Sequence, residues 1–147
     1  MLFRSRDYGA HGGPSFRLIV NGEPRPLDPL VADDLYQIGH EAIANAFMHG
    51  QAKQVEVEVA YQDDALRLSF RDDGRGIEAS VREAGGRSGH WGLCGMRERA
   101  ENLGAHFEVS SNDVSGTEIT IIVRADRAYV RKLVGWRRSL LRLRGTR

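Results

Sequence analysis

The sequence predicts an α+β fold, a two-layer α/β sandwich with helices on one face of a mixed β-sheet. Two observations carry this. Apolar residues recur at helical spacing through 30–48 and 93–103, whereas 55–61, 66–70, 107–109 and 119–123 alternate as half-buried strands do. These periods follow the order strand, helix, hairpin, glycine-rich stretch, helix, hairpin, which suits helices segregated to one face of a sheet. A chain of 147 residues fits one domain with a single core.

Residues 1–15 are rich in Gly, Arg and Ser without a hydrophobic period, and read as a flexible start. Residues 16–20 form a short apolar run closed by Asn21-Gly22, predicting an edge strand, and the prolines of 24–29 exclude regular helix or central strand there. The first long helix follows, with Val31, Leu35, Ile38, Ala42 and Ala46 as its apolar stripe. Val55, Val57, Val59 and Tyr61, then Leu66, Leu68 and Phe70 across Asp63-Asp64, predict a hairpin with one buried face. A short polar helix is expected over 78–84, then a mobile glycine-rich stretch over 85–95. The second helix should end at Gly104, a residue tolerant of left-handed backbone. Phe107 and Val109, then Ile119, Ile121 and Val123, flank a turn over 112–116 and predict the second hairpin.

Composition narrows the function classes. Hydrophobic residues make up 41% and charged residues 28% of the chain, and no apolar run reaches the ~18 residues of a membrane helix. The start has no apolar h-region, and the single cysteine, Cys94, has no disulfide partner, so a reducing cytoplasm is the expected setting. The net charge of +1 conceals an asymmetry: 124–147 carries nine Lys/Arg and one Asp, whereas the rest holds 12 Lys/Arg against 19 Asp/Glu. Nucleic acid is therefore not an expected partner, since its proteins carry basic residues across a folded face. In the tail Tyr129, Leu133, Trp136, Leu140 and Leu143 fall at helical spacing, a basic amphipathic segment over 125–147 that could touch an anionic membrane surface, a neighbouring domain or this domain itself.

Four features carry chemistry. Glu41 and Asn45 lie four apart on one helix face with His49 a turn further, so that a carboxylate and an amide could share a divalent cation or polarise water; read singly, such a pair is an ordinary solvated helix face. Asp72-Asp73-Gly74-Arg75-Gly76-Ile77 follows a strand, where an acid can accept from an exocyclic amine and two glycines let backbone approach a flat ligand; it is equally a plain Asp-Gly turn. Gly92, Leu93, Gly95 and Met96 lead into a helix whose first N–H groups could hold phosphate oxygens, without the Gly-Lys-Ser/Thr ending of a P-loop. Gly116-Thr117 opens the last strand.

In this order the four resemble the N, G1, G2 and G3 boxes of the ATP-binding catalytic domain of two-component sensor histidine kinases, whose wider family includes DNA gyrase B, Hsp90 and MutL. The resemblance covers residues 30–123. The string from Gly92 to Ala100 is similar to the branch with an acidic residue after the phosphoacceptor histidine, and Glu41 suits that branch. The resemblance implies a Bergerat ATP-binding fold over 16–124, with ATP and Mg2+ as cofactors. It implies Asn45 as the Mg2+ ligand with Glu41 beside it, and Asp72 as acceptor for the adenine 6-amino group. Gly74, Gly76 and Ile77 would border the base, His49 the nucleotide, and Gly92, Leu93, Gly95 and Met96 the triphosphate under a lid over 78–91. Thr117 would support the base pocket near Asp72. One departure is Met48, where the family often has Lys or Arg; Arg97 or Arg99 would have to compensate.

The implied reaction is transfer of the ATP γ-phosphate to a histidine on a dimerisation domain absent from this chain, with a response regulator reached indirectly, in the cytoplasmic part of a membrane-bound sensor. Two other classes stay open, an ATP-hydrolysing clamp in which Glu41 activates water, and a nucleotide-binding module or anti-sigma-type serine kinase of the same fold. His40-Glu41 mimics an acceptor signature but lies inside the pocket helix, and Cys94 is expected to be a small filler.

Overall fold

The computed structural model describes residues 3–9, 14–77, 91–112 and 114–131; side chains are described from residue 14 onward within these ranges, except those of Trp91 and Asn112. In chain order the elements are β1 (Phe3–Gly9), β2 (Ser15–Asn21), α1 (Pro29–Met48), β3 (Gln54–Tyr61), β4 (Ala65–Asp72), α2 (Trp91–Asn102), β5 (His106–Asn112), β6 (Gly116–Arg124) and α3 (Ala125–Ala128). The strands form one six-stranded sheet in the order β1-β2-β3-β4-β6-β5. It is mixed, because β2 and β3 run parallel and every other pair antiparallel.

The helix stripe and the strand alternations meet in a single core. Val31, Leu35, Ile38, Ala42 and Ala46 of α1 are all buried, as are Val55 and Val57 of β3, Leu66, Leu68 and Phe70 of β4, and Ile119, Ile121 and Val123 of β6. Each large aliphatic side chain buried in this way contributes ~1.5–3 kcal/mol. Gly39 lets α1 settle on the sheet, since a Cβ there would stand 3.2 Å from the Phe70 ring. Asp28 starts α1 by accepting from Leu30 N–H at 2.9 Å, with Pro29 supplying the first helical φ. Gly104 ends α2 at φ +62°, as its position predicts. The opposite face of the sheet is polar: Arg71 pairs with Glu118 at 2.9 Å and Glu56 at 3.4 Å, and Glu56 pairs with Arg17 at 3.9 Å, a charge row across four strands.

Three expectations need correction. Part of the supposedly flexible start is β1, which pairs residue for residue with β2 from Phe3↔Asn21 to Gly9↔Ser15. That strand completes its backbone bonds at the sheet edge without needing an apolar face. Covered by β1 on one side and β3 on the other, β2 is an interior strand. The tail does not open as one helix from residue 125: α3 stops at Ala128, and Tyr129 is extended (φ −104°, ψ 143°) and 4% exposed. Tyr129 bridges to Leu27, donates to the carbonyls of Ala65 (3.0 Å) and Gln62 (3.1 Å), and carries Arg25 over its ring at 3.7 Å. Residues 125–130 thus belong to the domain. The amphipathic stripe beyond 131, the polar helix over 78–84 and the lid up to residue 90 lie outside the described residues, whereas 91–95, expected to belong to an aperiodic glycine-rich stretch, are the start of α2.

Candidate functional site

The site forms where the end of β4 leaves the sheet. Asp73 holds that exit in place by accepting from the N–H groups of Lys53 and Gln54, both at 2.8 Å. Its neighbour Asp72 turns the other way, onto the face that also carries its register partners Val55, buried under the helices, and Thr117. Asp72 Oδ1 accepts from Gly74 N–H at 2.8 Å. Burial pushes the Asp72 carboxyl above its ordinary value, while the N–H groups of Gly74 and Thr117 work against that rise. Asp72 is thus a half-buried carboxylate held by two backbone N–H groups.

Glycine is required twice around this acid. Gly116 has φ +78°, and a Cβ there would overlap the Asp72 carbonyl. Gly74 is buried, with Asp72 Oδ1 and the Gly50 carbonyl where a side chain would go. The Gly50 carbonyl also accepts from Arg75 N–H at 2.9 Å, so the turn that ends α1 is bonded to the loop that carries Asp72.

That bond links the two halves of the site. Asn45 stands one turn before Gly50, and its carbonyl accepts from His49 N–H at 3.0 Å and Gly50 N–H at 2.9 Å. Glu41 stands one turn before Asn45, and its carboxylate lies against Gly92 in the first turn of α2, where a Cβ would come 2.8 Å from Glu41 Cδ. A continuous border therefore runs from Gly92 through Glu41, Asn45, Gly50 and Gly74 to Asp72 and Thr117. Glu41 and Asn45 are partly buried and His49 is exposed. Beside Glu41 a cleft of about 360 Å³ opens between the helices, lined by Gln37, Glu41, Gly92, Gly95, Met96 and Arg99.

Other sequence-predicted residues sit differently within their elements than the motifs suggested. Gly92 and Gly95 lie inside α2 rather than before it, and Leu93 and Met96 turn into the core at 4% and 2% exposure. Gly76 carries φ +78° in the loop after Asp72. Of the two arginines set against Met48, Arg97 lies over the Phe107 ring at 5.8 Å, and Arg99 lines the cleft while pairing with Asp34 at 3.0 Å. Cys94 Sγ contacts Glu98 Oε1 at 3.6 Å, and desolvation followed by that carboxylate pushes the thiol up, away from nucleophilic use. Among the described residues no three His, Cys, Asp or Glu side chains gather to hold a metal. Glu41 and Asn45 place a carboxylate and an amide one turn apart in α1, oxygen donors that could hold part of the shell of a hard divalent cation.

Two residues escaped the sequence reading. Gly50 is one, visible only once the α1 turn meets the Asp72 loop. Ser111 is the other: its Oγ accepts from Ile77 N–H at 2.7 Å and lies 3.1 Å from the Gly116 carbonyl and 3.2 Å from Thr117 Oγ1.

The family model described as "Histidine kinase-, DNA gyrase B-, and HSP90-like ATPase" matches residues 30–127. The chain is 32% identical over 123 residues to the nitrate/nitrite sensor protein NarX of Escherichia coli, covering 84% of this chain and 20% of NarX. It is 40% identical over 93 residues to the sensor protein VraS of Staphylococcus aureus, covering 62% of this chain and 25% of VraS. The chain thus spans about a fifth to a quarter of the length of these curated relatives. Among solved structures, the histidine kinase domain of the Erythrobacter litoralis EL346 blue-light activated histidine kinase superposes with TM-score 0.63 at 22% identity, over 74% of this chain and 51% of that one. The ATP binding domain of PrrB from Mycobacterium tuberculosis gives 0.51 at 20% identity, over 76% and 73%. At these identities the superpositions speak for the fold.

Proposed function

Because the chain belongs to the histidine kinase-, DNA gyrase B- and HSP90-like ATPase family, we propose that it is the ATP-binding catalytic domain of a sensor histidine kinase, which delivers the γ-phosphate to a histidine carried outside this chain. The observation that supports this reading best is the continuous border from Gly92 to Thr117. It sets a carboxylate for a base at one end and a carboxylate–amide pair beside a helix N-terminus at the other.

In this reading Asp72 accepts from the adenine 6-amino group, and Gly74, Gly76 and Ile77 leave the base room beside backbone. Asn45 and Glu41 supply oxygens toward Mg2+, which when bound neutralises phosphate charge. At Gly92 and Gly95 α2 carries no side chain toward the cleft, and the N–H groups of its first turn can meet phosphate oxygens. The domain then acts by holding and aiming ATP, the main task of a phosphoryl-transfer site. The acceptor hairpin and, through it, a response regulator are the partners. The cytoplasmic side of a membrane-bound sensor is the setting, and among the described residues no helix is long and apolar enough to cross a membrane.

Calorimetric titration with MgATP, and with ATP in the presence of a chelator, tests the reading. Binding that strengthens with Mg2+ supports it; no binding in either case rejects it.

A further inference from the structure

Ser111, Thr117 and Asp72 form one row across three strands, since Ser111 pairs with Thr117 and Thr117 with Asp72 in the sheet register. Register partners point to the same face, so the three side chains stand side by side at the end of the sheet. Ser111 makes contact in three directions. Ile77 N–H donates to its Oγ at 2.7 Å, which ties the chain down five residues after Asp72. The Gly116 carbonyl 3.1 Å away can only accept, so the single Ser111 proton is assigned to it. With that proton committed, the 3.2 Å contact between Ser111 Oγ and Thr117 Oγ1 is completed by the Thr117 proton. Thr117 Oγ1 is then left with lone pairs beside the Asp72 carboxylate.

We propose that Ser111 is a positioning residue for the base end of the site: by clamping Ile77 and accepting from the Thr117 hydroxyl, it makes Thr117 and Asp72 present acceptors together, which favours a purine with an amino group at position 6, carrying two N–H donors, over one with a carbonyl there. The inference rests on the nucleotide reading above and adds to it a residue that touches no ligand. A rotated Thr117 hydroxyl would offer a donor, and the contrast between amino and keto bases would shrink.

The test compares MgATP and MgGTP binding to the full chain and its variants by calorimetry. Ser111→Ala is expected to weaken MgATP by ~5–30-fold, the effect of removing a partly buried hydrogen-bonding group, and to narrow the preference for MgATP over MgGTP. Ser111→Thr restores the hydroxyl and should recover both. Thr117→Val keeps the Ile77 and Gly116 bonds of Ser111 and should reproduce the lost preference without loosening the loop. A Ser111→Ala protein that keeps the parent's affinity and preference overturns the inference while leaving the nucleotide reading intact. So does an equal loss for both nucleotides that Ser111→Thr fails to rescue, because that marks a merely structural role. A parent chain that binds neither nucleotide overturns the nucleotide reading and this inference with it.

Discussion

The Glu41 carboxylate rests against the Cα of Gly92, so that a single methyl group added at Gly92 would occupy the place of Glu41 Oε1. The obstacle is the far end of a flexible side chain, so Gly92→Ala is expected to fold and to displace Glu41. The glycine is thus explained by the neighbour it admits, despite the ~1 kcal/mol that glycine costs within a helix. If Glu41 position matters to the metal end of the site, Gly92→Ala and Glu41→Ala should weaken the Mg2+ enhancement of ATP binding alike, and the double variant should cost no more than Glu41→Ala alone. Additive losses would separate the two residues.

Asn45→Ala should remove most of the Mg2+ enhancement while leaving the melting temperature close to that of the parent, because the Asn45 backbone carbonyl that caps α1 is untouched. Equal enhancement in variant and parent would remove Asn45 from the metal assignment.

Asp72 links function to stability with a definite sign. Its folded-state pKa is raised by burial, so the native chain takes up this proton at higher pH than the unfolded chain does. The contribution of Asp72 to stability is therefore greatest below the ordinary aspartate value and is lost as pH rises through the raised one. Asp72→Asn should flatten that part of the pH–stability curve and leave the neutral-pH fold no less stable. It should also cost ~1–3 kcal/mol of ATP binding and erase preference over GTP. Melting curves across the acid range and parallel titrations check both halves.

Tyr129 makes the end of the domain a clamp rather than an appendage. Tyr129→Phe should cost ~1 kcal/mol through the lost bonds to Ala65 and Gln62, and Tyr129→Ala ~3–5 kcal/mol as a large buried ring is removed. Chemical denaturation measures both; a Tyr129→Ala variant as stable as the parent would contradict the burial.

Much of this was legible in the sequence where side chains obey a period. The five stripe residues of α1 are all buried, and the alternations of β3, β4 and β6 face the core. What escaped has physical causes. β1 alternates Arg4 and Arg6 with Ser5 and Asp7, and an edge strand held by backbone bonds needs no apolar signature. Tyr129 fits helical spacing with Leu133 in sequence, yet its backbone is extended and its ring packs near Tyr61, 6.4 Å between centroids. Asp72, Gly74 and Thr117, singled out in the sequence by the glycines around them, lie together in the structure. Ser111 has no such mark; only the hairpin register from Asn112↔Gly116 places it beside Thr117.

The most direct measurement of the central claim is incubation with γ-labelled ATP, with and without a separate protein carrying the cognate histidine-bearing hairpin, followed by acid and alkali treatment. His40 lies within α1 and His49 caps its end, so both are tethered to the helix that walls the candidate site, whereas phosphoryl transfer needs an acceptor that can come in line. The account predicts no acid-labile label on this chain alone, and acid-labile, alkali-stable label on the added hairpin. Acid-labile label on the chain by itself, or an unlabelled hairpin despite bound MgATP, would contradict it.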